Sequence, residues 1–178
     1  MVYENDVRTI VNMGGRPGTG YSSFARYWPG LGDGRVEDFG GGGISVERKK
    51  GGELGGGEVG TLIREFTVGA NRGGDGGRLV RHFSCTEWPN YGVPEDTSSV
   101  RRLMKMVREY IDAVEGTTVI HCSGGVGRSG TFLTAFAGVY GGGGTLIDIV
   151  QEIREQRHPM AVEGFAQYEF AYKCVAEW

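Results

Sequence analysis

The stretch His121-Cys122-Ser123-Gly124-Gly125-Val126-Gly127-Arg128-Ser129-Gly130 decides the reading of this chain. It follows Thr117-Thr118-Val119-Ile120, a compact β-branched run that predicts a buried strand. It leads into Arg128–Tyr140, which reads as a helix ending at Gly141–Gly144. A cysteine at a strand end is therefore followed by a glycine-rich turn and a helix whose first turn carries an arginine. The backbone N–H groups of Ser123, Gly124, Gly125, Val126, Gly127 and Arg128 in such a turn point inward and cradle an anion at the helix N-terminus. Glycine permits the tight curl and the close approach of backbone to ligand. Arg128 can fork two hydrogen bonds onto phosphate oxygens. The same positive field lowers the Cys122 thiol pKa, giving a thiolate placed for in-line attack on a bound phosphate monoester. The plain alternative is a buried structural cysteine beside a helix-starting turn, and the Cys-x5-Arg-Ser context argues against it.

Outward from this stretch the pattern is that of an α/β fold. Val7–Val11 is short and β-branched, bounded by Asn12 and Gly14-Gly15, and predicts a strand. Gly43–Glu47 and Thr61–Val68 alternate and predict two strands joined by a glycine-rich connection, and Arg78–Thr86 predicts another. Val100, Leu103, Met104, Val107, Tyr110, Ile111 and Val114 recur at helical spacing, with Thr97, Ser98 and Ser99 as candidate caps. Thr145 and Asp148 form a capping-box pattern ahead of Leu146, Ile149, Val150 and Ile153, and Pro159 stops that helix. A last helix is expected over Ala166–Val175. The whole predicts one domain over residues 1–178, a central mixed, twisted sheet flanked by helices, with the phosphate loop between a strand and a helix.

Composition narrows the class. A net charge of -3 gives no general attraction to nucleic acid or an anionic membrane, so an anionic substrate must be drawn by a local patch. Cys85, Cys122 and Cys174 are odd in number, widely spaced and match no zinc-ligand pattern, which fits a reducing compartment. Met1–Asp6 carries acids where a signal peptide has a basic start and an apolar run, and no stretch approaches the ~20 apolar residues of a membrane span. The expected localisation is cytoplasmic, including the cytoplasmic part of a larger protein, with no membrane contact from this segment. Glycine stands at 34 of 178 residues, clustered at Gly40–Gly43, Gly55–Gly57, Gly73–Gly74, Gly76–Gly77 and Gly141–Gly144 without a period. Repeat architectures are thereby excluded. Flexible surface loops and deliberate glycine placement both fit these clusters.

His-Cys-x2-Gly-x2-Arg-Ser-Gly resembles the signature loop of the cysteine-dependent protein tyrosine phosphatases. Smaller motifs resemble the phosphotyrosine-specific branch: Met1–Met13, Tyr27-Trp28-Pro29, Ile63-Arg64-x-Phe66, Trp88-Pro89-x-Tyr91-Gly92-Val93-Pro94 and Gln167-Tyr168-x-Phe170, in the family's order. By this resemblance Cys122 is the nucleophile that forms a cysteinyl-phosphate, and Arg128 binds the transferring phosphoryl group. Ser129 assists the sulfur as leaving group, and the amides of Ser123 to Arg128 hold phosphate oxygens. His121 tunes the thiolate by orienting the loop. Glu37, Asp38 and Glu47 fall where the family carries an acidic loop that orients the arginine, a solvated surface being the other reading of each. No metal and no cofactor are implied, and the expected partner is a phosphotyrosine-containing protein or peptide.

Three departures from the pattern bear on activity. Asn90 stands where the family's general acid is an aspartic acid, and an amide cannot protonate a leaving phenolate. Glu87, Glu95 and Asp96 are neighbouring carboxylates that could substitute after a loop rearrangement. Glu163 falls at the family's water-positioning glutamine, where a carboxylate repels a dianionic phosphate or serves as a base for the hydrolysing water. Gln167 matches the second glutamine and keeps a water contact. The resemblance also implies that the chain begins inside the family's domain, without the loop whose tyrosine packs on the substrate ring, and an exposed apolar sheet and poor solubility are expected from that. Hydrolysis of phosphotyrosine, impaired at Asn90, and a pseudophosphatase that binds phosphotyrosine with little or no turnover are the two functions the residues support. Cys85 and Cys174 read as small buried hydrophobes, Trp28, Trp88 and Trp178 as core or hinge, and His82 and His158 as structural.

Overall fold

The structure, a computed structural model, describes residues 1–15, 24–29, 36–39, 44–48, 60–70 and 77–178, with the backbone alone at 36–39, 48 and 70. The glycine clusters at 40–43, 55–57 and 73–74 lie outside the described residues, as does Gly76.

Six strands form one sheet: β1 (Val7–Asn12), β2 (Val36–Phe39), β3 (Ile44–Arg48), β4 (Thr61–Ala70), β5 (Arg78–Cys85) and β6 (Thr117–His121). Their order is β2-β3-β4-β5-β1-β6. β1 runs parallel to both β5 and β6, and the β2-β3-β4-β5 side is antiparallel, so the sheet is mixed. The helices are α1 (Ser98–Ala113), α2 (Gly127–Tyr140), α3 (Leu146–Gln156) and α4 (Gly164–Ala176). β2 is an addition to the sequence reading. Glu37 and Asp38, assigned by resemblance to a loop, lie on this strand opposite Val46 and Ser45, and Glu47 lies opposite Val36. Glu37 and Asp38 thus stand on the edge strand furthest from β6, and Glu47 on the strand beside it.

The expected strand alternation divides the apolar residues between two faces. On the helix side Val11, Phe83 and Cys85 join Leu103, Met104, Val107, Phe132, Phe170 and Cys174 in the main core. The other face carries Val7, Ile10, Val68 and Val80, with Val2, Tyr3, Ile44 and Val46 against them. A shift in the β1–β6 register between Val7 and Thr9 puts Val7 on the Ile10 side despite its odd position. Above this second face lies an apolar groove of about 410 Å³.

Helix ends follow local chemistry. Thr145 and Asp148 make the full capping box that starts α3. Thr97, expected to cap α1, instead hydrogen-bonds Glu177 of the C-terminus and accepts from Arg101. Asp96 takes the capping task, accepting from the Ser98 N–H at 2.8 Å. Trp178, read as core or hinge, is 49% exposed and only edges the Tyr140 ring.

β1, β5 and β6 are parallel, so their carboxyl ends meet at one rim of the sheet, where α/β folds place ligands. The Trp88–Pro94 turn follows β5 and the cysteine loop follows β6. Among the described residues no helix is long and apolar enough to cross a membrane.

Candidate active site

The loop from Cys122 to Gly127 closes around the cysteine sulfur. Gly125 takes φ +69, the left-handed backbone that folds its own N–H back onto Cys122 Sγ at 3.2 Å. Gly127 begins α2 with Glu163 and Gln167 packed so closely that a β-carbon would collide with the Glu163 carboxylate and crowd the Gln167 amide. Gly130, one turn into α2, lets the helix rest on the Ala161–Val162 backbone. Arg157, just past α3, donates from Nε to the Gly125 carbonyl at 2.5 Å and braces the loop from outside. No sequence signal marked Arg157 for this task.

Arg128 is 2% exposed, yet its fork is aimed at the site. Nη2 donates to Ser123 Oγ at 2.9 Å and Nη1 to the Trp88 carbonyl at 3.3 Å. Trp88 is fully buried against Phe170, and its indole N–H donates to the Gly92 carbonyl at 2.9 Å. The arginine on α2 is thereby tied to the turn that carries Asn90.

Burial alone pushes the Cys122 thiol up. The Ser129 hydroxyl and N–H, with the Gly125 and Val126 N–H groups, outweigh it, and the net shift is downward. Ser129 Oγ is buried and makes no well-aligned hydrogen bond among the described residues, so its effect is that of a hydroxyl dipole beside the sulfur. Burial pulls His121 below the ordinary histidine range, against the opposing pull of the Cys122 carbonyl, which takes a 3.0 Å hydrogen bond from Nδ1. Tyr27 hydrogen-bonds His121 Nε2 from the side away from the loop. The sequence marked Tyr27-Trp28-Pro29 as a motif and assigned the hydroxyl nothing.

A pocket of about 350 Å³ opens above the sulfur, lined by Asn90, Tyr91, Cys122, Ser123, Gly124, Val126, Gly127, Arg128 and Glu163. Asn90 and Tyr91 are exposed at its mouth, Tyr91 with φ +61. Glu163 is the one carboxylate among the lining residues. Glu87, Glu95 and Asp96, the candidate substitutes for a general acid, do not line it, and Asp96 is engaged at the start of α1. Gln167 is buried behind Gly127 rather than in the pocket. Its Oε1 accepts from Thr131 Oγ1 at 3.1 Å and the Glu163 N–H at 2.8 Å, while Nε2 has no partner among the described residues. Cys85 and Cys174 lie in the core, the latter thiol pushed up to about 12 by burial.

Comparison with known proteins gives the chain its family. The model of the family described as protein-tyrosine phosphatase matches residues 1–177. The chain belongs to the protein-tyrosine phosphatase family. Receptor-type tyrosine-protein phosphatase eta of Mus musculus is 31% identical over 186 residues, covering 99% of this chain and 14% of that protein. Receptor-type tyrosine-protein phosphatase C of Mus musculus is 33% identical over 121 residues, 66% of this chain and 9% of that one. A protein-tyrosine-phosphatase of Arabidopsis thaliana is 30% identical over 122 residues, 65% of this chain and 35% of the other. This phosphatase-family chain therefore spans well under two thirds of the length of each of these relatives. Phosphoric monoester hydrolysis is the chemistry of the family, and the fold expected for it is the one observed.

Proposed function

We propose that the chain removes phosphate from phosphotyrosine in proteins or peptides through a cysteinyl-phosphate, with a slow first step. The observation that carries this reading is Cys122 Sγ on the floor of a pocket rimmed by loop amides and the Arg128 guanidinium. In the first step the thiolate forms a bond to phosphorus as the bond to the tyrosine oxygen breaks. The equatorial oxygens, which gather charge, meet the N–H groups of Ser123 to Arg128 and the arginine fork. The phenolate leaves and takes its proton from water, because Asn90 has none to give. In the second step water attacks phosphorus, its proton passes to solvent or to the Glu163 carboxylate, and the sulfur departs as thiolate beside the Ser129 hydroxyl. Inorganic phosphate is released and the cysteine is regenerated.

Asn90 sets the rate of this cycle. Tyrosine's phenol has a pKa near 10, and loss of a general acid costs about 10²–10⁴-fold. A second reading, capture of phosphotyrosine without turnover, is favoured by Asn90 together with the Glu163 charge in the pocket, since both oppose chemistry and leave the cradle intact. Its setting in either reading is the cytoplasmic side, where phosphotyrosine proteins are found.

One comparison separates the two. Hydrolysis of an aryl phosphate with a low-pKa leaving group is measured beside a phosphotyrosine peptide. A weakened enzyme cleaves the activated ester far faster than the peptide. A pure binder cleaves neither and still binds the peptide, and a chain that neither binds nor cleaves would end both readings.

A further inference from the structure

His82 of β5 is fully buried on the sheet face opposite the helices and takes no part in the phosphoryl-transfer steps. The Trp28 ring lies 4.8 Å away and the Phe66 ring 5.9 Å. Across the sheet it faces Arg64 on β4 and Ile10 on β1. Its Nε2 is 3.0 Å from the Tyr27 hydroxyl, and that hydroxyl also bonds His121 Nε2. His121 Nδ1 in turn lies 3.0 Å from the Cys122 carbonyl. A continuous chain of four groups thus runs from the inside of the sheet to the first peptide of the cysteine loop.

Its direction follows from one end. A carbonyl can only accept, so His121 Nδ1 carries the hydrogen. In a neutral imidazole Nε2 is then a bare lone pair, and the Tyr27 hydroxyl must donate to it. The Tyr27 oxygen is left to accept, so His82 must donate from Nε2. His82 Nδ1 becomes the bare nitrogen, and Nδ1 is the buried ring atom without a partner among the described residues. An unmatched lone pair there is better tolerated than an unmatched N–H. Burial first, then Arg64 and His121, keep His82 neutral, as the chain requires.

We propose that His82 is a positioning residue for the phosphate loop: through the Tyr27 hydroxyl it holds His121 as the Nδ1–H tautomer, and that N–H anchors the Cys122 carbonyl. Each donor polarises the next, so the His121–Cys122 bond is stronger than it would be alone. An anchored Cys122 peptide keeps the following amides turned toward Sγ. The role presupposes that Cys122 works as a thiolate in the phosphatase reading above.

The test uses the whole chain and two readouts independent of phosphoryl transfer. Ring ¹⁵N shifts of the wild-type protein should show His82 protonated at Nε2 and His121 at Nδ1; the opposite tautomer at either ring overturns the assignment without any variant. Alkylation of Cys122 by iodoacetate near pH 6.5 reports thiolate formation, with Cys122→Ser as the blank. His82→Phe should slow it about threefold to tenfold, and His82→Gln, which keeps an N–H donor, should restore it. In a Tyr27→Phe background His82→Phe should have no further effect, because its path is already cut. An equal slowing in that background would mean that His82 acts by packing alone and would overturn the proposal. Failure of the phosphatase reading shows differently, as absence of vanadate and phosphotyrosine binding by the wild type.

Discussion

Arg128 Nη1 donates to the main-chain carbonyl of Trp88 at 3.3 Å, joining the α2 end of the phosphate loop to the turn that holds Asn90. The bond is made while Nη2 reaches Ser123 Oγ, so both arms of a buried guanidinium are spent on geometry before any ligand arrives. Pre-set donors cost little reorganisation when charge develops on a phosphoryl group. Only a planar fork can serve both partners at once.

Arg128→Lys therefore tests more than charge. Lysine keeps the cation and loses the fork, so it holds at most one of the two partners. The expected result is a fall in kcat of about 10²–10³-fold with weaker vanadate binding, measured by hydrolysis of an activated aryl phosphate. Near-wild-type activity would show that charge alone suffices.

Asn90→Asp restores an ionisable group at the pocket mouth. Phosphotyrosine peptide hydrolysis should rise at least about tenfold, and the activated aryl phosphate, whose leaving group needs no proton, should gain much less. The pH profile should acquire a descending limb as the new acid deprotonates. Equal rates for wild type and variant would remove the account of this departure.

Cys122 should alkylate at a lower pH than a free thiol. Its folded pKa is depressed, so thiolate is present above that value and reactivity is lost only as the pH falls through it. A rate profile rising near the ordinary cysteine pKa of about 8.5 would contradict the cradle. Cys122→Ser should abolish turnover while keeping phosphotyrosine binding, and any retained turnover would overturn the nucleophile assignment.

Glu163→Gln removes the carboxylate from the pocket. Phosphate and vanadate should then bind about tenfold more tightly, equivalent to about 1.4 kcal/mol of relieved repulsion. The comparison is made by inhibition constants at one ionic strength. Unchanged affinity would place the charge too far from the ligand to matter. A simultaneous fall in turnover of the trapped intermediate would show the carboxylate acting as base in the second step.

Local chemistry makes much of this legible in the chain alone. Alternation and β-branching marked β1, β3, β4, β5 and β6, helical spacing marked α1, and Thr145 with Asp148 announced the start of α3, because each signal is carried by neighbours in the chain. The Cys-x5-Arg loop was legible for the same reason: its amides, glycines and arginine lie within ten residues. What could not be read joins distant residues. β2 is too short to show a period, and its pairing with β3 rests on backbone partners on another strand. Arg157 reaches Gly125 over 32 residues, and Tyr27 reaches His121 over 94. Asp96 displaced Thr97 as the α1 cap because the threonine hydroxyl found Glu177 instead. Chain chemistry set which groups could hold a phosphate; folding alone could choose which of them face the sulfur, since a hydrogen bond depends on position in space and carries no mark in the residues between its partners.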